Sequence, residues 1–216
     1  PNFKTPIKTR FINNAEHLLR VDNENINFKL VNKYRMLLIK IFKKEIEKND
    51  VVVLSDYNKG LLDKDFIKKI IKIATQYNKI IIADPKKIDL SSYEGVNILT
   101  PNQKEITESA KKNFLNETNL IKYAKNTVKK YKIQNLLITR SEKGMLLVNN
   151  KSVTKVKANA NKVIDVTGAG DTVIAILALM LTLRLSVEDS MKISNHAAGL
   201  VIGKSGTAFI KYTDLI

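Results

Sequence analysis

VVVLSDYNKGLLDKDFIKKIIKIATQYNKIIIAD, residues Val51–Asp84, is the stretch that decides the fold. Val51-Val-Val-Leu54 is a continuous apolar run ending in Ser55-Asp56, and Ile80-Ile-Ile-Ala83 is a second one ending in Asp84-Pro85-Lys86. Between them, Lys64 to Asn78 repeats apolar residues at Phe66, Ile67, Ile70, Ile71, Ala74 and Tyr77, the spacing of one helix face. Strands without polar alternation, separated by a helix, predict a largely parallel sheet covered on both faces.

Outward from this unit the pattern continues. Lys33 to Lys48 reads as a basic amphipathic helix, Asn97-Ile-Leu-Thr100 as a strand stopped by Pro101-Asn102, and Leu120 to Tyr131 as a helix. Asn135 to Thr139 and Met145 to Asn149 read as strands joined by a turn through Gly144, forming a hairpin. Upstream, Ile7 to Asp22 reads as two short strands around Asn13-Asn14, a pair that tolerates the positive φ of a tight turn. Its alternation puts Lys8, Arg10 and Ile12 on one face and Thr9 with Phe11 on the other. No repeat or low-complexity linker divides the chain. The expectation is therefore one α/β domain over residues 1–216, with a mostly parallel sheet flanked by helices over 30–216 and a small β lid over 7–22.

With 216 residues and 44% apolar content, the chain can bury a substantial core. The absence of cysteine excludes a disulfide framework and a thiolate metal site, and suits a cytoplasmic setting. Two histidines, His17 and His196, are too few for a His-based metal cage. The longest apolar stretch, Val173 to Leu183, is interrupted by Thr182 and too short for a bilayer, so no membrane partner is expected. No N-terminal signal pattern is visible, although the chain begins at Pro1 and reads as a fragment or a processed form. The net charge of +16 raises nucleic-acid binding as a class. However, the excess is 32 Lys against 5 Arg scattered over helix faces, and 22 Asn with 26 Ile point to an AT-rich genome as readily as to a basic surface. No nucleic-acid partner is expected.

Asp165-Val-Thr-Gly-Ala-Gly-Asp171-Thr172 precedes the apolar helical run Asp171 to Arg184. Gly168, Ala169 and Gly170 let several backbone N–H groups point one way, and a helix N-terminus adds positive potential. Asp171 beside such a cradle is placed to take a proton from a substrate hydroxyl while the amides hold a phosphoryl group. Taken alone, the same residues also describe an Asp capping a helix after a Gly-rich turn. The loop lacks the third small residue of a dinucleotide fingerprint, and Gly199 to Ser205 is one residue short of a Walker A loop. Open sheets bind ligands beyond the carboxyl ends of their strands, where Asp56, Asp84, Lys86, Asn102, Thr139 and Arg140 also fall.

Pro101-Asn102-Gln-Lys-Glu105, Thr139-Arg-Ser-Glu-Lys-Gly144 and Asp165-Val-Thr-Gly-Ala-Gly-Asp171, in that order, resemble the ribokinase-like (PfkB) carbohydrate kinases. Lys8-Thr-Arg10, His17-Leu-Leu-Arg20-Val-Asp22, Leu54-Ser-Asp-Tyr-Asn-Lys-Gly60, Asp84-Pro-Lys86, Asn195-His-Ala-Ala-Gly199 and Gly203-Lys-Ser-Gly-Thr207 narrow the resemblance to the branch acting on D-glycero-β-D-manno-heptose 7-phosphate.

The resemblance implies a three-layer fold and ATP-dependent phosphorylation of the anomeric hydroxyl, on the way to the lipopolysaccharide core. Asp171 maps onto the general base, and Gly168, Ala169 and Gly170 onto the anion hole. Asn102 and Glu105 match the motif that organises Mg²⁺, through water, and the nucleotide phosphates; the pair equally describes a helix cap. Thr139, Gly144, Lys86 and Asn195 map to the nucleotide side, although a plain turn accounts for Gly144 and an exposed helix position for Asn195. Arg10, Arg20, Asp56 and Lys59 are candidates for the sugar or its phosphate, and equally ordinary surface charges. A monovalent cation often sits beside the loop holding Asp165 and Thr167 in this family. The implied partners are ATP, a sugar phosphate and a second copy of the chain.

Relative to the family, roughly the first third of a kinase domain is expected to be missing from these residues, with Arg10 through Asp22 left from the lid. An adenylyltransferase half is expected elsewhere, since its H-x-G-H motif cannot be built from His17 and His196.

Overall fold

The computed structural model describes residues 5–13, 16–24, 28–159, 163–206 and 208–214. Strands β1 (Ile7–Asn13) and β2 (Glu16–Asn23) form a separate antiparallel ribbon. Helix α1 (Phe28–Glu45) leads through a 3-10 turn into β3 (Val51–Ser55), and α2 (Lys64–Gln76) connects to β4 (Ile80–Asp84). Then come β5 (Ile98–Leu99), α3 (Gln103–Ala110), α4 (Glu117–Lys130), β6 (Asn135–Thr139), β7 (Met145–Asn149) and β8 (Val153–Val156). Helices α5 (Ala169–Thr182) and α6 (Val187–Ile202) complete the core. The sheet order is β3-β4-β5-β6-β7-β8, parallel through β6 and antiparallel across β7 and β8.

The unbroken apolar strands follow from two covered faces. Ile81, Ala83, Leu99, Leu136 and Ile138 pack with Ile67, Ile70 and Ile71 of α2 and Leu120, Ala124 and Val128 of α4. Ile82, Ile98, Leu137 and Leu147 point the other way, onto Val173, Ile174 and Leu177 of α5 and Met191 and Ala198 of α6. Each fully buried Ile or Leu contributes about 2 kcal/mol of transfer free energy. Side-chain caps set several helix starts: Asp63 accepts from Phe66 N at 2.8 Å for α2, and Asn116 from Asn119 N at 2.9 Å for α4.

Several boundaries differ from the sequence expectation. Helix α1 runs from Phe28 to Glu45 rather than from Lys33 to Lys48, because nothing in Phe28 to Asn32 breaks it. Helix α5 ends at Thr182, short of Arg184, whose φ of 61° leaves the helical region. Strand β3 is half-buried rather than enclosed, with Val53 exposed, since it borders the sheet. Strand β8 was not expected, and α3 and α6 were foreseen only through a cap at Asn102 and Glu105 and a helix position at Asn195, without bounds. In the ribbon, the register shifts between Phe11 and Ile12, which interrupts the alternation expected for Ile12. Asn14 of the expected turn lies outside the described residues. Among the described residues no helix is long and apolar enough to cross a membrane.

Candidate active site

The loop before α5 is held at both ends, and its centre is left open. Asp165 accepts from Thr167 N at 2.9 Å and from Gly206 N at 3.2 Å, and its own N–H donates to Ile202 O at 3.1 Å, which ties the loop to the end of α6. Gly168, at φ 83° and ψ −3°, is the residue from which α5 starts, without a side-chain cap. That backbone conformation suits glycine. Ala169 N and Thr172 N find backbone acceptors in Val166 and Gly168. Among the described residues the amides of Gly170 and Asp171 have none. A Cβ built on Gly168 or Gly170 meets nothing within 4 Å, so open space lies over the turn. Unpartnered first-turn amides, a favourable helix dipole and room above them make an anion cradle.

Asp171, in the first turn of α5, is exposed. It lies close enough to Asp84, at the end of β4, for its charge to act there. Burial first, then the Glu105 charge and, less strongly, that of Asp171 push the Asp84 carboxyl up to about 7, against an opposing pull from Lys86. Asp84, Lys86, Glu105 and Asp171 thus converge at one rim. The sequence placed Asp84 at this rim without giving it a role.

This shift has a definite sign. An unfolded Asp releases its proton near 3.9, whereas folded Asp84 keeps it to about pH 7. Stability from this group is full below the unfolded value and is lost as pH rises toward 7. Asp84→Asn is therefore expected to raise the melting temperature at pH 8, by about 2 kcal/mol of stability after discounting for partial exposure. The advantage should shrink toward zero as the melts are moved down to pH 4.5. A difference that does not vary with pH would refute the buried charge.

Asn102 and Glu105 form a reciprocal helix cap on α3: Asn102 Oδ1 accepts from Glu105 N and Glu105 Oε2 from Asn102 N, each at 2.9 Å. Glu105 Oε1 accepts from Lys86 Nζ. The helix-cap reading of this pair is realised, and Glu105 holds Lys86 through its second oxygen. Thr139 bridges Asn102 in parallel fashion, its N–H donating to Pro101 O at 3.1 Å. Gly144 closes the β6–β7 turn, with its carbonyl accepting from Arg140 N at 2.8 Å. Arg140 is buried, its Nη1 donating to Glu117 at 2.5 Å. Asn195 is buried rather than exposed, donating to Lys157 O at 2.9 Å.

The residues considered for the sugar separate. Asp56 is only 3% exposed. Its Oδ1 accepts from Asn58 N at 2.7 Å, and its Oδ2 from Tyr93 Oη at 2.6 Å and from Lys87 Nζ. Each oxygen thus has a protein partner, and Asp56 anchors the loop after β3. That burial and hydrogen bond push the Tyr93 phenol well above its usual range. Lys59, on the same loop, pairs with Glu24. Arg10 and Arg20 lie on the ribbon, directly opposite one another.

An open α/β sheet, an uncapped helix start and an acid in its first turn form an arrangement suited to an anion beside a carboxylate. Residues 4–213 match the pfkB family carbohydrate kinase pattern. The chain belongs to this family. It is 38% identical over 212 residues to the bifunctional protein HldE of Acidiphilium cryptum, covering 98% of this chain and 43% of that protein. It is 37% identical over 211 residues to the bifunctional protein HldE of Helicobacter pylori (strain HPAG1), covering 98% and 45%. The chain thus spans less than half the length of these curated relatives. In fold it resembles ribokinase from Giardia lamblia, with a TM-score of 0.79 at 16% identity, covering 99% of this chain and 72% of that one. Phosphofructokinase-2 from Escherichia coli in complex with potassium superposes with a TM-score of 0.71 at 19% identity, covering 80% and 58%.

Proposed function

We propose that this chain is the kinase portion of an ATP-dependent sugar kinase that phosphorylates the 1-hydroxyl of D-glycero-β-D-manno-heptose 7-phosphate, giving the 1,7-bisphosphate for ADP-heptose and lipopolysaccharide core synthesis in the cytoplasm. The observation that carries this reading is the pair of unpartnered amides of Gly170 and Asp171 under open space, next to the Asp171 carboxylate. The similarity to HldE proteins supports the choice of sugar.

Asp171 takes the proton of the attacking hydroxyl, and the amides of the Gly168–Gly170 turn bear the charge of the transferring phosphoryl group. Asn102 and Glu105, fixed by their reciprocal cap, stand where water-held Mg²⁺ would be oriented, and Lys86 lies within reach of a phosphate. Mg²⁺, when bound, neutralises phosphate charge. Thr139, Gly144 and Asn195 shape the nucleotide side, and the loop of Asp165 and Thr167 is the candidate seat for a monovalent cation.

Arg10 and Arg20 favour a phosphorylated substrate. They face one another across the ribbon, Arg20 also pairing with Asp22 at 3.0 Å, and two guanidinium groups so placed suit a phosphate between them. Further partners of this reading are a second copy of the chain and an adenylyltransferase domain in another segment or protein.

The test is ADP release by the full-length protein with ATP and Mg²⁺, comparing heptose 7-phosphate, fructose 6-phosphate and ribose. Heptose 7-phosphate is expected to be the preferred acceptor. Turnover of ribose alone would transfer the chain to another sugar or nucleoside kinase of the family. If ATP·Mg²⁺ raises the melting temperature while no sugar yields ADP, the chain is a nucleotide-binding module without catalysis.

A further inference from the structure

Glu24 follows β2 immediately, at the point where the ribbon leaves for the core. Its carboxylate accepts from Lys8 of β1 at 2.8 Å and from Lys59 of the loop after β3. Lys8 also reaches Asp22 at 3.0 Å, and Asp22 pairs with Arg20 at 3.0 Å. The Glu24 side chain is 14% exposed, against 35% for Lys8 and 40% for Lys59, so it is the inner member of the cluster. The hydrogen bond from Lys59, then that from Lys8, holds its acid below the usual carboxylate range.

The two ends of this link differ in how firmly they are held. No core helix or strand packs broadly on either ribbon strand among the described residues, and a lone two-stranded ribbon is marginal in water. The loop carrying Lys59, in contrast, is fixed from the core side. Arg35 of α1 donates to Gly60 O at 2.8 Å and pairs with Asp63 at 2.6 Å, while Lys87 donates to Leu62 O and to Asp56. Lys59 therefore projects from an anchored loop, and what it grips is Glu24. Without a shared carboxylate, Lys59 and Lys8 would repel one another.

We propose that Glu24 is a positioning residue: bound at once to Lys59 of the anchored loop and Lys8 of the ribbon, it sets the ribbon's position relative to the core and holds Arg10 and Arg20 in place for a sugar phosphate. The part concerning substrate rests on the function proposed above; the tether itself does not.

Hydrogen exchange on this chain tests the tether. Glu24→Gln keeps the shape and removes the charge. It is expected to speed exchange of the β1 and β2 amides about threefold, while α2 and β4 to β6 are unchanged. Lys59→Met should do the same, the double variant should add little to either single one, and Glu24→Asp should recover part of the protection. In about 1 M NaCl the wild-type ribbon should approach the variant, because partly exposed pairs are screened. Unchanged ribbon exchange in both Glu24→Gln and Lys59→Met would overturn the proposal whatever the substrate. In the full-length kinase, Glu24→Gln should raise KM for the sugar phosphate severalfold and leave KM for ATP alone. Equal KM values for the sugar phosphate would overturn the positioning role, whereas a complete lack of sugar phosphorylation in the wild type would defeat the function reading and leave the exchange result intact.

Discussion

Asp171→Asn is expected to lower turnover of the full-length protein by about 10²–10⁴-fold while the rise in melting temperature caused by ATP·Mg²⁺ stays as in the wild type. The separation follows from the geometry. The groups offered to phosphate are backbone amides, Gly170 and Asp171 among them, and an Asn side chain leaves them where they are. What the substitution removes is the carboxylate, and with it the acceptor for the sugar proton. Asp171 is exposed and takes no part in capping α5, so the helix should keep its start. Thermal melting without ligand should accordingly differ little. Turnover close to wild type would exclude Asp171 as the base, and a lost ATP shift would mean that the side chain, rather than the amides, binds the nucleotide.

The parts of this arrangement legible in the sequence were those with a local cause. Continuous apolar runs at Val51–Leu54 and Ile80–Ala83 were legible as strands, with burial on both faces holding for β4 but not for β3 at the sheet border, and the Asp165–Thr172 run could be read as a turn into a helix because glycine and an apolar stretch mark it. Helix α3 was legible only as a cap at Asn102 and Glu105, without bounds, because Gln103–Ala110 is short and buries only Glu105 and Ile106. Strand β8 escaped because Val153–Val156 is short and contains Thr154 and Lys155, giving no apolar run to recognise. The role of Asp56 was hidden for another reason. Its partners Tyr93 and Lys87 come from a segment more than thirty residues away, and no local pattern reports that a carboxylate will be enclosed by them. The same holds for Glu24, whose partner Lys59 is distant in sequence and whose residue type is ordinary for a surface.

Gly144→Ala is expected to destabilise the fold by about 3–5 kcal/mol, the combined cost of a forbidden backbone region and an overpacked contact. Gly144 has φ 75° and ψ −131°, a combination that side chains avoid. An added Cβ would lie 2.0 Å from Val156 O, 2.6 Å from Ala158 N and 2.6 Å from Lys157 C. All three are backbone atoms, so no rotamer change relieves the clash. The end of β8 must move, and Lys157 O, which accepts from Asn195 of α6 at 2.9 Å, moves with it. The turn therefore joins the β7–β8 edge to α6, and a single methyl group disturbs both. Gly168→Val provides the contrast. Its φ of 83° carries a strain of about 1–2 kcal/mol, but its Cβ meets nothing within 4 Å. There the added side chain fills the space over the amides, so stability should fall less and ATP·Mg²⁺ should lose most of its stabilising effect. Urea unfolding of the two variants with and without ATP·Mg²⁺ reads both quantities. If Gly144→Ala costs under about 1 kcal/mol, the close approach of the turn to residues 156–158 is wrong; if Gly168→Val keeps the full nucleotide shift, the open space over the turn is not where the phosphates lie.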